Sequence, residues 1–290
     1  MASSKKSSTS KSSPRLEVKK TYKLYINGAF PRSESGRVYE VTNNKNAFVA
    51  NPALASRKDL RDAVVAARAA QSGWAKATAY NRGQILYRIA EMLEGRADQF
   101  ESEIALTSQI TSAKAKALVS EAIDRWVWYA GWSDKLQAVS GATNPVSGSF
   151  FNFSISEPQG VVAIASSDSF LEFIDAIAAA VVSGNTSVVL VPGSLAVPAM
   201  SFAEVLATSD LPAGVINILT GSLDELAPWA ASHMDIDGFD ISGIAKKKHG
   251  ALKEAGAENL KRIHSFGSGK TPARILAFME SKTVWHSVGV

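Results

Sequence analysis

The stretch EPQGVVAIASSDSFLEFIDAIAAAVVSGNTSVVLVPGS, residues 157–194, decides the fold. Within it, Gly160 to Ala165 and Ser187 to Val191 are short runs with apolar residues at successive positions, so both faces of each strand have to be covered. Between them, Phe170 to Val182 is long and apolar enough for a buried helix. The alternation continues with a helix over Val197–Thr208, a strand over Gly214–Leu219, a helix over Leu223–Ser232 and a strand over Ile236–Ile241. Strands alternating with helices predict a parallel sheet covered on both sides, which takes ligands beyond the carboxyl ends of its strands.

Upstream, Phe150 to Ile155 alternates and reads as a strand, and helices are expected over Asp59–Trp74, Asn81–Glu94 and Ser112–Gln137. Trp126, Trp128 and Trp132 stand at spacings that suit core packing better than a ligand platform. Tyr22, Leu24 and Ile26 alternate with Lys23 and Tyr25 and run into Asn27-Gly28, the pattern of a strand entering a hairpin turn. Ser35-Gly36 and the run Val38, Tyr39, Val41 suggest two further short strands. Residues 1–20 hold seven serines and six basic residues against Glu17, the composition of a disordered tail.

Composition excludes several classes. The 290 residues are 46% apolar and 20% charged, which is globular. The net charge of +4 resides in the tail, so the folded part is near neutral and no nucleic-acid face is indicated. No apolar run is long enough to cross a membrane and no secretory leader opens the chain, so a cytoplasmic protein is expected. There is no cysteine, which removes disulfides, thiolate metal sites and every cysteine nucleophile. His233, His249, His264 and His286 lack metal-ligand spacing, so no metal is expected. Asp235, Asp237 and Asp240 read as solvated carboxylates near a strand edge. Phe266 to Thr271 imitates the end of a phosphate-binding loop, but His264 stands where glycine is needed and Pro272 follows at once.

Several motifs, in order, resemble the aldehyde dehydrogenase superfamily. They are Tyr25-Ile26-Asn27-Gly28, Ala66 to Gln71 with Trp74, and Asn81-Arg82. There follow Glu157-Pro158-Gln159-Gly160-Val161-Val162, Gly184-Asn185-Thr186, Leu211-Pro212-Ala213-Gly214 with Thr220-Gly221, Asn259 to Arg262, and Gly269-Lys270-Thr271-Pro272. The resemblance implies a Rossmann-like NAD-binding-type domain over 158–276, an N-terminal strand and helical part over 21–141, and small oligomerisation strands over 142–157 and 277–290, behind the tail of 1–20. The expected fold class is therefore α/β, a Rossmann-like parallel sheet with N-terminal helices and a small antiparallel sheet.

The family's chemistry is not matched residue by residue. After Pro272 the family enters its catalytic domain, whereas this chain passes to Glu280-Ser281-Lys282-Thr283-Val284, which resembles the strand at the family's C-terminus. Phe266 stands at the general-base glutamate and Ser167 at the oxyanion-hole asparagine. Val191 replaces a ribose-holding lysine, and Ser242-Gly243-Ile244 replaces the turn that meets the pyrophosphate, with Gly221 retained. The Lys246-Lys247-Lys248 cluster reads as a solvated helix start. No catalytic residue is thus expected, and the cofactor-binding positions Ser167, Val191, Gly221, Ser242 and Gly243 are degenerate. No cofactor is expected, with retained NAD binding as the alternative. The strands near Tyr25, Phe151, Phe153, Val284 and Trp285 are expected to form interfaces. The implied function is that of a non-catalytic subunit or structural partner of a full-length NAD-dependent aldehyde dehydrogenase. The alternatives are one part of a split NAD-dependent aldehyde oxidoreductase, or a self-assembling structural protein.

Overall fold

A computed structural model describes residues 16, 18–43 and 45–289. The disordered tail expected over 1–20 lies almost wholly outside the described residues. Its last residues make contacts: Lys20 pairs with Glu204 at 2.7 Å and the Lys19 ammonium sits over the Phe48 ring.

Two short strands, β1 (Val41–Thr42) and β2 (Phe48–Ala50), precede the helices α1 (Arg57–Lys76), α2 (Ala79–Glu94), α3 (Ala97–Ser108), α4 (Ser112–Ala130) and α5 (Leu136–Ser140). Ser56 starts α1 in a reciprocal capping box with Asp59, and Thr78 and Thr111 cap α2 and α4 through their hydroxyls. The single helix expected to reach Gln137 breaks at Gly131, where successive tight turns intervene before α5. The break lets Gln137 turn onto the next strands, where its side chain donates to the Ser156 carbonyl and accepts from the Ser156 amide.

Two strands then follow, β3 (Ala142–Asn144) and β4 (Phe150–Pro158). The alternating part runs β5 (Val161–Ala165), α6 (Phe170–Val182), β6 (Thr186–Val191), α7 (Ala196–Leu206), β7 (Ile216–Thr220), α8 (Leu223–Ser232) and β8 (Gly238–Asp240). It closes with α9 (His249–Ala257), β9 (Arg262–His264), α10 (Pro272–Leu276) and β10 (Met279–Ser287). The large sheet is wholly parallel in the order β7-β6-β5-β8-β9. Helices α6 and α7 cover one face with α2, α3 and α4 behind them, and α1, α8 and α9 cover the other. This is the α/β architecture with a covered parallel sheet that the strand and helix alternation predicted, joined by the small antiparallel sheet that the resemblance implied. Strand β9, which sequence periodicity did not mark, completes the edge with only three residues.

The Asn27-Gly28 turn forms as expected, with φ of 52° and 73°, both positive as a tight two-residue hairpin turn requires. Its strand does not join an oligomerisation sheet. Tyr25 exchanges two backbone hydrogen bonds with Ile218 on the outer edge of β7, at 3.0 and 2.8 Å, and is 2% exposed. The expectation that Tyr25 is an interface residue is therefore corrected: it caps an otherwise open edge of the parallel sheet. The third strand of the small antiparallel sheet is β3, in the order β10-β4-β3.

The expected aromatic packing on α4 is present at its centre. The Trp126 ring stacks on Phe202 of α7 at 5.7 Å between centroids, and Trp126 is fully buried. Beside it on α4, Arg125 bonds Oδ2 of Asp175 of α6, which has no exposed surface and whose Oδ1 has no partner among the described residues. Burial pushes the Asp175 carboxyl up to about 6, against the opposing attraction of Arg125. An acid whose folded-state pKa is raised binds its proton more tightly when folded. Its penalty on stability is thus absent below about pH 4 and complete above about pH 6. Replacing it, Asp175→Asn, should raise stability relative to the parent by about 2 kcal/mol more at pH 7 than at pH 4. Urea denaturation across that range checks this, and a difference that does not change with pH would refute it.

Candidate functional site

The chain leaves β5 outward through β6 and β7, then returns to the other side of β5 to make β8. The loops after β5 and β8 therefore diverge in topology while starting side by side, the usual place for a ligand cleft in an open parallel sheet. Ser169 caps α6 and fixes the loop after β5, while Gly243 carries the loop after β8 against it. The Gly243 amide donates to the Ala165 carbonyl at 2.9 Å. A Cβ at Gly243 would lie 2.2 Å from the Ser166 carbonyl oxygen, so only glycine permits this crossing.

Two adjoining depressions open there, of about 190 and 360 Å³. They share Ser166, Ser167 and Ser242. The smaller runs in between Glu172, Phe266, Ser268 and Arg274, and the larger out past Asp168, Ser194 and Gly243. Of the residues singled out in sequence, Ser167, Ser242, Gly243 and Phe266 are brought together here. Val191 and Gly221 are not. The Val191 side chain ends β6 inside the core, and Gly221 is packed against the Ala55 backbone, where a Cβ would approach the amide nitrogen to 3.2 Å.

Beneath the smaller depression lies an ion network that sequence reasoning missed. Arg274 is 2% exposed and Asp240 1%. Arg274 Nε and Nη2 donate to Asp240 Oδ2 at 3.0 and 2.7 Å, and its guanidinium lies over the Phe266 ring. Asp240 Oδ1 accepts from the Ser242 hydroxyl at 2.5 Å and the Ser242 amide at 3.0 Å, and Ser242 Oγ accepts in turn from the Phe266 amide at 2.8 Å. Glu172 accepts from Arg274 and from the Gly269 amide. Asp240 is therefore no solvated carboxylate, and neither is Asp237, which binds Arg68 and the Val161 amide, each at 2.7 Å. The missed signal was Arg274, an arginine in an otherwise apolar run after Pro272.

The comparisons with known proteins fit this architecture. The chain matches the aldehyde dehydrogenase family over residues 30–288. It belongs to that family. It is 29% identical to an aldehyde dehydrogenase of Emericella nidulans over 283 residues, 96% of this chain and 56% of the relative. It is 33% identical to human retinal dehydrogenase 2 over 275 residues, 91% of this chain and 52% of the relative. An NAD+ complex of an aldehyde dehydrogenase from Bacillus cereus superposes with a TM-score of 0.78 at 26% identity, covering 84% of this chain and 50% of that one. The chain thus spans about half the length of the relatives it matches. Because a close structural neighbour holds NAD, the comparisons lend no support to the expectation that this fold carries no cofactor.

The residues lining this cleft nevertheless do not supply what a dinucleotide's diphosphate needs. The amides of Ser242, Gly243 and Ile244 are donated internally, to Asp240, Ala165 and Ile241. Ile244 is a buried apolar side chain, and the larger depression is lined by one acid, Asp168, with no base. Lys248 of the basic cluster is drawn to Asp224 at 2.5 Å, and none of Lys246, Lys247 and Lys248 lines either depression. Phe266 packs edge-on to Phe278 and stacks on His264, whose pKa burial lowers. No group of three or more His, Cys, Asp or Glu suited to a metal is present among the described residues. No helix among them is long and apolar enough to cross a membrane.

The Arg274–Asp240 pair makes a direct prediction. Arg274→Ala leaves a carboxylate buried without its cation and should cost about 3–5 kcal/mol in chemical denaturation. The double variant Arg274→Met with Asp240→Asn, which removes the charge and keeps an acceptor for Ser242, should recover most of that loss. A double variant as unstable as the single one would show that charge pairing is not what the site depends on.

Proposed function

We propose that this chain is a non-catalytic member of the aldehyde dehydrogenase family that acts by assembling with a full-length subunit of the same family. The observation that carries the reading is the inverted pattern of the small sheet. Along β4, Asn152 and Ser156 point inward and are 3% and 8% exposed, whereas Phe151, Phe153 and Ile155 alternate onto the outer face. Phe151 is 48% exposed and packs on Phe153 at 5.3 Å between ring centroids. Val284 of β10 stands opposite Phe153 and extends the same apolar face. On the other face, Phe150 meets Trp285, which is 59% exposed. The outer face thus carries an apolar strip of Phe151, Phe153, Ile155 and Val284 between the polar Lys282 and His286, and a strip of that kind turned outward is one that another protein covers.

Strand β10 adds an edge nine residues long, since among the described residues it bonds to β4 on one side only. In full-length relatives, as the family resemblance implies, this strand meets the sheet of a neighbouring subunit's catalytic domain. Between Pro272 and Met279 this chain has only α10 and two further residues, so it has no such sheet to offer a second copy of itself. The absence of any cysteine and the phenylalanine at position 266 agree with a role in assembly rather than aldehyde oxidation.

Native mass spectrometry of the protein from its own cells tests this. The expected result is a complex with a full-length aldehyde dehydrogenase. The double variant Phe151→Ser with Phe153→Ser, on the outer face, should leave the fold intact and weaken that complex at least about tenfold. A stable monomer would overturn the reading. So would oxidation of an aldehyde with NAD by the isolated chain. A homo-oligomer alone would favour a self-assembling protein instead.

A further inference from the structure

Ahead of α1, the chain from Lys19 to Ala53 folds around a cavity of about 510 Å³, a volume in the range of small-molecule sites. Five cations line it, Lys19, Lys20, Lys23, Arg32 and Arg37, against the single acid Glu34. That acid does not neutralise them. Glu34 turns its carboxylate to α1, where it accepts from the Ser56 hydroxyl at 3.1 Å and lies 3.7 Å from Lys58. Lys20 and Arg37 are drawn to acids outside the cavity, Glu204 and Glu225, each at 2.7 Å. Lys23 and Arg32 make no ion pair and no side-chain hydrogen bond among the described residues. Lys23 is half-buried and Arg32 exposed, so uncompensated charge is offered from the wall and from the rim. The tail ahead of the cavity does not supply the missing anion, since residues 1–18 hold four basic residues against Glu17. The rest of the lining is in good part apolar. Val38 is 57% exposed, and Phe48 stays 40% exposed although the Lys19 ammonium already sits over its ring. Exposed apolar side chains are ordinary one by one, but here two share a cavity with two unanswered cations.

We propose that this cavity binds an organic acid with an apolar body, a medium-chain or arylalkyl carboxylate. The carboxylate accepts from the Arg32 guanidinium, whose planar fork can hold both oxygens, and from the Lys23 ammonium. The apolar body lies along Val38, Phe48 and Ala53. Charge alone does not satisfy the site, because a small inorganic anion leaves that lining uncovered, and an uncharged chain leaves the cations unanswered. The proposal stands apart from the assembly reading, since no residue of the small sheet lines this cavity, and none of the cleft at the strand ends does.

Calorimetric titration of the full chain with octanoate, 4-phenylbutyrate, 1-octanol and inorganic phosphate tests it. Saturable binding of octanoate or of 4-phenylbutyrate is expected, and which of the two binds more tightly tells an alkyl from an aryl body. Both 1-octanol and phosphate should bind at least about tenfold more weakly than the better acid. Lys23→Met keeps the stem and removes the charge, and neither Lys23 nor Arg32 has a partner to lose among the described residues. The double variant Lys23→Met with Arg32→Gln should therefore fold normally and lose about tenfold in affinity for the acid. Val38→Asp, at an exposed position, sets a carboxylate in the apolar lining and should weaken the acid as well. The absence of saturable binding by both acids would overturn the proposal. So would 1-octanol or phosphate binding as tightly as the better acid, or an affinity for the acid that neither the double variant nor Val38→Asp changes.

Discussion

Asn185 is the hinge of the whole arrangement. It has no exposed surface, and its side chain makes three hydrogen bonds that no other residue type of its size could combine. Its Oδ1 accepts the Gly160 amide at 2.8 Å, at the entrance to β5, and its Nδ2 donates to Ser183 Oγ at 2.8 Å and to the Phe278 carbonyl at 2.9 Å. The Gln159 amide also reaches that Phe278 carbonyl, at 3.1 Å. One buried amide thus fastens the start of the parallel sheet to the residue before β10. Once Phe278 is seated there, β10 has to run back along β4, with Met279 opposite Pro158 and Ser287 opposite Phe150. Truncating Asn185 would leave the Gly160 amide and one bond to the Phe278 carbonyl unsatisfied in the interior, where each costs about 1–3 kcal/mol.

That anchoring explains how a short sheet with its apolar side outward keeps its shape. A three-stranded sheet is marginal by itself and needs something to pack against. Here the buried part of the inward face carries the polar Asn152 and Ser156, so it is held by bonds rather than by apolar burial. Asn144 Nδ2 donates to Asn152 Oδ1 at 2.6 Å and to Ser154 Oγ at 2.9 Å, and Gln137 clasps the Ser156 backbone from both sides. The apolar side chains that a soluble sheet would turn inward stay available on the outside. Rigidity without burial is what an interface wants, because an ordered edge loses little conformational entropy on docking.

Much of this was legible in the chain, and what was not has identifiable causes. The parallel sheet could be read because β5, β6 and β7 are continuous apolar runs between helix-length segments. The strand β9 could not, because Arg262, Ile263 and His264 are too few to show a period, and only the neighbouring β8 makes them a strand. The Leu24–Ile26 segment was recognisable as extended, but its partner was not, since alternation says which face is apolar and nothing about which edge it meets. In the cleft, Ser167, Ser242, Gly243 and Phe266 were found through motif positions. Arg274 and Glu172 were not, because they act only once α6 and α10 bring residues 102 positions apart within reach of each other.

The buried ion network also bears on why the cleft differs from a phosphate site. A loop that holds a diphosphate keeps its first amides free and aims them outward. In this chain Asp240 sits at the end of β8 and takes the Ser242 amide and hydroxyl for itself, because its carboxylate is buried and has to be fully bonded. Arg274 neutralises that carboxylate from below and is consumed in doing so. The charge needed to stabilise the interior is therefore spent at the position where a phosphate ligand would need it. Restoring an anion site would take a cation at the rim as well as release of the Ser242 amide, since either change by itself leaves the other obstacle in place.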